Sequence, residues 1–254
     1  MTEPLALAGL SILVTRPEPA GERLCLRLAQ LGAYCEAIAL LEIQPLLPSP
    51  AAISAALSPA PDALIFVSAA AVMYGVRQLR KQQAALLRKT LYAVGPSTAC
   101  QLEERGLTAL TPATASSEGL LDMASLQSVQ RVLIVRGQGG RELLAQTLQE
   151  RGCEVAYLEV YQRVLPAAST LRIATLLDAQ PQLIVLITSA ESLHHWRHCA
   201  GQRWLQHRLL VISPRLAELA AEQGAPDIIV AAGARDDDIE SALLAVAAAS
   251  STRV

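Results

Sequence analysis

The chain of 254 residues carries an internal repeat whose period is far too long for a solenoid and fits two copies of one fold. ILVTRPEPAGERLCLRLAQLG (12–32) aligns with VLIVRGQGGRELLAQTLQERG (132–152), setting Arg16 over Arg136 and Gly32 over Gly152. ALIFVSAAAV aligns with LIVLITSAESL, placing Ser68 over Ser189. YAVGPSTACQLEERG aligns with LVISPRLAELAAEQG, placing Pro96 over Pro214 and Gly106 over Gly224. The landmarks keep their order at nearly constant spacing, which chance apolar similarity rarely produces.

Aliphatic and β-branched runs alternate with longer Ala/Leu/Gln/Arg/Glu stretches at helical spacing, the pattern of parallel sheets with helices on both faces. The class is α/β, with two similar doubly wound domains. Strands are expected at 10–15, 34–39, 63–67, 90–94, 109–110, 132–136, 154–157, 183–187, 209–212 and 228–230, and a last helix at about 237–248. Leu158–Val164, LEVYQRV, is a β-prone segment with an exposed tyrosine, Tyr161, at its centre. It has a weaker echo, LLEIQPL (40–46), at the matching point of the repeat. The two segments are expected to tie the domains together, with Tyr161 facing what lies between them.

A net charge of -2, a pI near 6.1 and 3% aromatic residues leave neither the basic footprint nor the stacking surface of a nucleic-acid binder. The five cysteines (Cys25, Cys35, Cys100, Cys153, Cys199) are scattered without a C-x-x-C pair and read as reduced core thiols of a cytosolic protein. The N-terminal stretch lacks the positive n-region of a signal peptide. No apolar run reaches the ~18 residues that span a bilayer.

Each repeat offers the same loops: strand then Arg, strand then Ser, strand then Gly/Ser-Pro. In open parallel sheets ligands bind beyond the carboxyl ends of strands, where helix N-termini present unpaired N–H groups. Arg16 and Arg136 at such turns can grip a carboxylate or phosphate, or lie on the surface of an ordinary βα turn. Gly137, with Gly139, Gly140 and Arg141, loosely resembles a dinucleotide turn, but the third glycine and the ribose-binding acid are missing. Ser68, Ser189, Ser97, Thr98, Ser213, Ser116 and Ser117 all stand at helix entries, where capping and anion contact are alternative readings.

His194, His195 and His198 with Cys199 suggest a metal, but no third ligand accompanies the pair one turn apart, and HHWRH reads as the outer face of a helix. Asp236, Asp237 and Asp238 read as dipole-complementing acids at the start of the last helix. No nucleophile elbow or acid pair appears, so catalysis here would rest on positioning and hydrogen bonding.

Taken in order, VTRP, IFVSAAAV, AVGPSTA, SSEGLL, VRGQGGRELL, EVYQR, LITSAESL and ISPR-LA make the chain resemble uroporphyrinogen-III synthase over essentially its whole length. The resemblance implies an enzyme that closes linear hydroxymethylbilane to uroporphyrinogen III, with inversion of ring D and loss of water, using no cofactor or metal. It implies a discontinuous domain of residues 1–39 and 166–254 and a second domain of 46–157. Segments 40–45 and 158–165 would form a two-stranded linker, with the active-site cleft between the domains.

By the same resemblance Tyr161 donates a hydrogen bond or proton to the departing hydroxyl, and Ser68, Thr98 and Ser189 touch substrate carboxylates or backbone. Where some members carry two threonines after the second G-P turn, this chain has Arg215-Leu216, so Arg215 would supply a salt bridge instead. A cytoplasmic monomer is expected, taking hydroxymethylbilane from the synthase that makes it. The alternatives are a hinged two-domain small-molecule binding protein without catalysis and a nucleotide-dependent enzyme using the Gly137 loop.

Overall fold

The computed structural model describes residues 5–140 and 142–251. Its elements begin with β1 (Ser11–Val14), α1 (Ala20–Gln30), β2 (Tyr34–Ala37), β3 (Glu42–Pro45), α2 (Pro50–Ala56), β4 (Ala63–Phe66) and α3 (Ala69–Gln83). They continue with β5 (Thr90–Ala93), α4 (Pro96–Glu103), α5 (Ser117–Leu121), α6 (Ala124–Gln127), β6 (Arg131–Gly137), α7 (Leu143–Glu150) and β7 (Glu154–Val164). The last are α8 (Ser169–Ala179), β8 (Ile184–Ile187), α9 (Ala190–Ala200), β9 (Arg208–Val211), α10 (Pro214–Glu222), β10 (Ile228–Val230) and α11 (Asp236–Ser251). Contacts divide the chain into two units, Met1–Glu42 with Val164–Val254, and Ile43–Arg163.

The first unit holds a five-stranded sheet in the order β10-β9-β8-β1-β2, every neighbouring pair parallel. Strand β8 reads IVLI and is buried along its whole length, as expected of a parallel strand covered on both faces. Alternation divides the residues: Leu13, Val185, Ile187 and Leu209 meet Ile173, Leu193 and Trp196 on one face. Ile12, Val14, Leu186 and Leu210 meet Leu24, Leu28, Ile239 and Leu243 on the other.

Trp196 is 0% exposed, so HHWRH is not an outer face. Only His194, Arg197 and His198 of the stretch lie at the surface, and the indole fills the core one position away. The acids of α11 do more than complement a dipole: Asp236 pairs with Arg16 at 2.5 Å and Asp237 with Arg27 at 2.7 Å, tying the last helix to the first βα turn and to α1. Cys25 of α1 and Cys35 of β2 are free thiols whose sulfurs lie 2.6 Å apart, a proximity that their spacing of ten residues did not suggest.

The second unit holds the sheet β3-β7-β6-β4-β5, in which β7 pairs parallel with β6, β6 with β4 and β4 with β5. Residues 154–157 and 158–164, read from sequence as a strand and a connecting segment, form one unbroken strand. Strand β3 joins the same sheet, and the Leu46 N–H just beyond it donates to the Val160 carbonyl at 2.9 Å. The expected strand at 109–110 reduces to a single bridge between Leu110 and Tyr92. Leu64, Phe66, Leu133 and Val135 pack under Val72, Val76 and Leu79 of α3, while Ile65, Val132 and Ile134 meet Leu120, Leu126, Leu144 and Leu148. Among the described residues no helix is long and apolar enough to cross a membrane.

In both sheets the order of the parallel strands reverses beside the first of them, between β1 and β8 in one unit and between β4 and β6 in the other. Loops leave in opposite directions at such a switch point, and a crevice forms at the carboxyl ends of the strands.

His207 lies in the core of the first unit, 3% exposed, its Nδ1 accepting the Leu183 N–H at 3.2 Å. Burial first, and Arg203 second, hold its pKa below the usual histidine value. The unfolded chain therefore takes up this proton at a higher pH than the folded one. The stabilising contribution is complete above the unfolded value of about 6.5 and is lost as the pH falls through the folded one. Thermal melts should show Tm falling between about pH 7 and pH 5, and His207→Gln should flatten that slope; an unchanged slope in the variant would remove His207 as its cause.

Candidate functional site

The switch point of the second unit gathers chemistry-bearing side chains from three strand ends. Ser68 follows β4 in extended backbone (φ -165°, ψ 163°) and caps α3, its Oγ accepting the Ala71 N–H at 3.1 Å. The same hydroxyl lies 3.1 Å from the Tyr161 hydroxyl. One oxygen thus ends a helix and fixes a phenol, so capping and function are not alternatives at this position.

Tyr161 is 2% exposed, which corrects the expectation of an exposed residue. Its burial has a backbone cause. Pairing between β6 and β7 loses register at the end of β6, where Arg136 faces Glu159 but Gly137 faces Tyr161, and the Gln138 N–H donates to the Tyr161 carbonyl at 2.7 Å. The phenol ring lies directly against Gly137: a Cβ there would stand 2.4 Å from Cε2 and 2.5 Å from Cζ. Only glycine leaves room for the ring.

Arg136 is enclosed on all sides. Its Nη1 pairs with Glu142 at 3.0 Å, its Nε lies 3.8 Å from Glu159 and donates to the Gly137 carbonyl at 3.1 Å, and Nη2 donates to the Gly139 carbonyl. The guanidinium also sits 4.6 Å over the Tyr157 ring. The Tyr157 hydroxyl donates to Glu142 at 2.6 Å. That bond, with Arg136, holds the Glu142 carboxyl below the usual range, and burial with the Glu142 contact pushes the Tyr157 phenol up to about 12. The glycine turn is thereby closed on itself by an internal ion pair. Arg141, its last residue in sequence terms, lies outside the described residues.

A cavity of about 330 Å³ opens at these strand ends, lined by Val67, Ser117, Arg136, Gly137, Tyr161 and Arg163 among others. Another, of about 390 Å³, lies at the amino ends of β1, β8 and β9. Parallel sheets bind ligands at the carboxyl side of a switch point, so the cavity over Tyr161 is the candidate.

Of the residues singled out in sequence, Ser68, Ser117, Arg136, Gly137 and Tyr161 converge here. Ser116 caps α5, its Oγ accepting the Gly119 N–H at 3.0 Å; at the entry to α4 Ser97 is exposed and Thr98 buried. The counterparts in the first unit take the equivalent strand ends. Arg16 is committed to Asp236, Ser189 caps α9 in a reciprocal box with Ser192, and Ser213 caps α10. Arg215 is exposed.

A family model described as uroporphyrinogen-III synthase HemD matches residues 22–240. The chain belongs to the uroporphyrinogen-III synthase family. Its members cyclise hydroxymethylbilane in tetrapyrrole biosynthesis. The chain is 41% identical over 246 residues to the uroporphyrinogen-III synthase of Escherichia coli K12, a match covering 92% of this chain and 100% of the relative. The Salmonella typhimurium LT2 enzyme is 35% identical at the same coverages. Solved structures share the fold at low identity: a mutant uroporphyrinogen III synthase from the extremely thermophilic bacterium Thermus thermophilus has a TM-score of 0.63 at 17% identity, over 95% of this chain and all of that one. Uroporphyrinogen-III synthetase from Helicobacter pylori 26695 gives 0.62 at 19%, over 93% and 99%.

Sequence reasoning within this family passed over Arg163 and Tyr157. The signal for Arg163 was its spacing of two from Tyr161 on a strand, which sends both side chains to one side. For Tyr157 it was the pairing register that sets β7 against β6 beside Arg136.

Gly137→Ala should drive the Tyr161 ring from its seat at a cost of about 1–3 kcal/mol, the usual range for overpacking. Urea unfolding would measure the loss; a variant as stable as the parent would show that the ring does not rest on this glycine.

Proposed function

We propose that the cavity at the carboxyl edge of the second unit's sheet is where this protein cyclises hydroxymethylbilane, and that Tyr161 supplies the proton to the departing hydroxyl. The observation that carries the reading is the buried phenol held by Ser68 against Gly137, in a cavity that also presents arginine.

The chemistry asks little more. Electron donation from the terminal pyrrole nitrogen expels hydroxide, and a proton from the Tyr161 hydroxyl turns that poor leaving group into water. The resulting azafulvene carbon is attacked by the substituted carbon of ring D, and the spiro intermediate rearranges to the inverted ring. The proton lost as the macrocycle regains its pyrroles returns to the tyrosinate, so the net change is loss of one water. Holding the phenol by a fixed hydrogen bond keeps its O–H aimed, and its burial makes a hydrogen bond to the leaving oxygen stronger than in water.

The substrate's eight carboxylates call for hydroxyls, backbone N–H groups and guanidinium groups. Ser117, Arg136 and Gly137 offer these at the cavity, and Ser68, Ser97, Thr98 and Ser116 carry the same chemistry at neighbouring strand ends. In the first unit Arg16, Ser189, Ser213 and Arg215 repeat it. The enclosure of Arg136 by Glu142 makes it a reserve cation: a substrate carboxylate can replace Glu142, which is itself half exposed, without leaving a buried charge unpaired.

The function is tested by supplying enzymatically made hydroxymethylbilane, oxidising the products and resolving the porphyrin isomers. Uroporphyrin III is expected; the spontaneous type I isomer alone would refute the reading and favour a binding protein of the same architecture. Tyr161→Phe should slow type III formation by about 100-fold, the low end of what general-acid help usually contributes. Parental turnover in that variant would take Tyr161 out of the chemistry.

A further inference from the structure

The arginines of β6 and β7 differ in what occupies them. Arg136 is held by Glu142 and Glu159 and by the carbonyls of Gly137 and Gly139. Arg131, at the opposite end of β6, pairs with Glu154 and donates to the Ser58 carbonyl. Arg163 stands apart: it lines the cavity, it is exposed, and it forms no salt bridge among the described residues. What it rests on is the catalytic candidate itself, the guanidinium carbon lying 5.8 Å from the centre of the Tyr161 ring.

This placement follows from β geometry. Arg163 is two residues beyond Tyr161 on the same strand, so both side chains leave β7 on one side. The strand carries the register shift at Val160 and Tyr161 and then continues to Val164, which keeps the arginine in step with the tyrosine whatever the loops do. An arginine resting on an aromatic face keeps its edge free, and five N–H donors in a planar fork remain to take a carboxylate bidentately.

We propose that Arg163 is a substrate-binding residue that anchors a carboxylate side chain of the linear tetrapyrrole beside Tyr161, so that the hydroxymethyl end is delivered to the phenol. The proposal rests on the reading of this cavity as the cyclisation site. It divides the work between two residues of one strand: Arg163 binds and Tyr161 transfers the proton. Arg163 thereby holds substrate and transition state alike, which lowers KM and leaves kcat to Tyr161. Lysine, a point charge without the fork, would do this only in part.

Steady-state kinetics of type III formation separate the roles. Arg163→Ala should raise KM by about 10–100-fold, as expected for losing a hydrogen-bonded charge pair, while kcat stays within about threefold of the parent. Arg163→Lys should recover part of the loss. The parent's KM should rise with added salt and that of Arg163→Ala should rise less. Because Arg163 is exposed, its removal leaves the core intact, and an unchanged thermal melt confirms that the kinetics report binding. An unchanged KM, or a fall in kcat alone, would overturn the proposal. Tyr161→Phe in the same assay is the control on the underlying reading: a parental kcat there, with a raised KM in Arg163→Ala, removes the proton donor and leaves the carboxylate anchor standing.

Discussion

The arrangement over the cavity depends on a missing side chain. Gly137 closes β6 at the point where its pairing with β7 slips, and the space that any Cβ would occupy is taken by the Tyr161 ring. Everything else about the phenol follows from that packing. Its ring is buried, its hydroxyl reaches the oxygen that caps α3, and the residue two positions on presents a guanidinium beside it. A glycine in a loop that only loosely resembles a dinucleotide turn is here a seat for an aromatic ring.

The charges at the end of β6 are paired with one another and not with the phenol. Arg136, at the end of β6, is enclosed by two carboxylates and two backbone carbonyls, and Glu142 is held in turn by Tyr157. A buried guanidinium without such partners would be costly, and the enclosure offsets that cost while keeping positive charge within reach of an anionic substrate. The Tyr161 hydroxyl, by contrast, meets a neutral partner, the Ser68 hydroxyl. A reaction driven by an electron-rich pyrrole needs only an aimed donor of this kind, together with sites that hold many carboxylates.

Much of the architecture was legible in the residues. All-apolar runs such as ALIF and IVLI mark strands covered on both faces, and Ser68, Ser116, Ser189 and Ser213 mark helix entries because an extended residue with a short hydroxyl satisfies an otherwise unpaired N–H. What stayed hidden are properties that depend on pairing across the sheet. Tyr161 looked exposed because glutamate, glutamine and arginine surround it in sequence, whereas its burial is decided by Gly137, more than twenty positions earlier. Trp196, flanked by histidines and arginine, looked like surface for the same reason and lies in the core. The aspartates of α11 read as dipole partners, because nothing local shows that Arg16 and Arg27 reach them from the other end of the chain. Arg163 was overlooked since an arginine on a strand is ordinary until the tyrosine two positions before it is known to be buried at the same cavity.

The hydrogen bond between Ser68 and Tyr161 is the joint between fold and chemistry, and a double-mutant cycle on kcat reads it most directly. If the serine acts by holding the phenol, Ser68→Ala should slow type III formation in the parent and have almost no further effect when Tyr161 is already phenylalanine. Two independent losses that multiply in the double variant would contradict this, and would mean that Ser68 and Tyr161 meet the substrate separately.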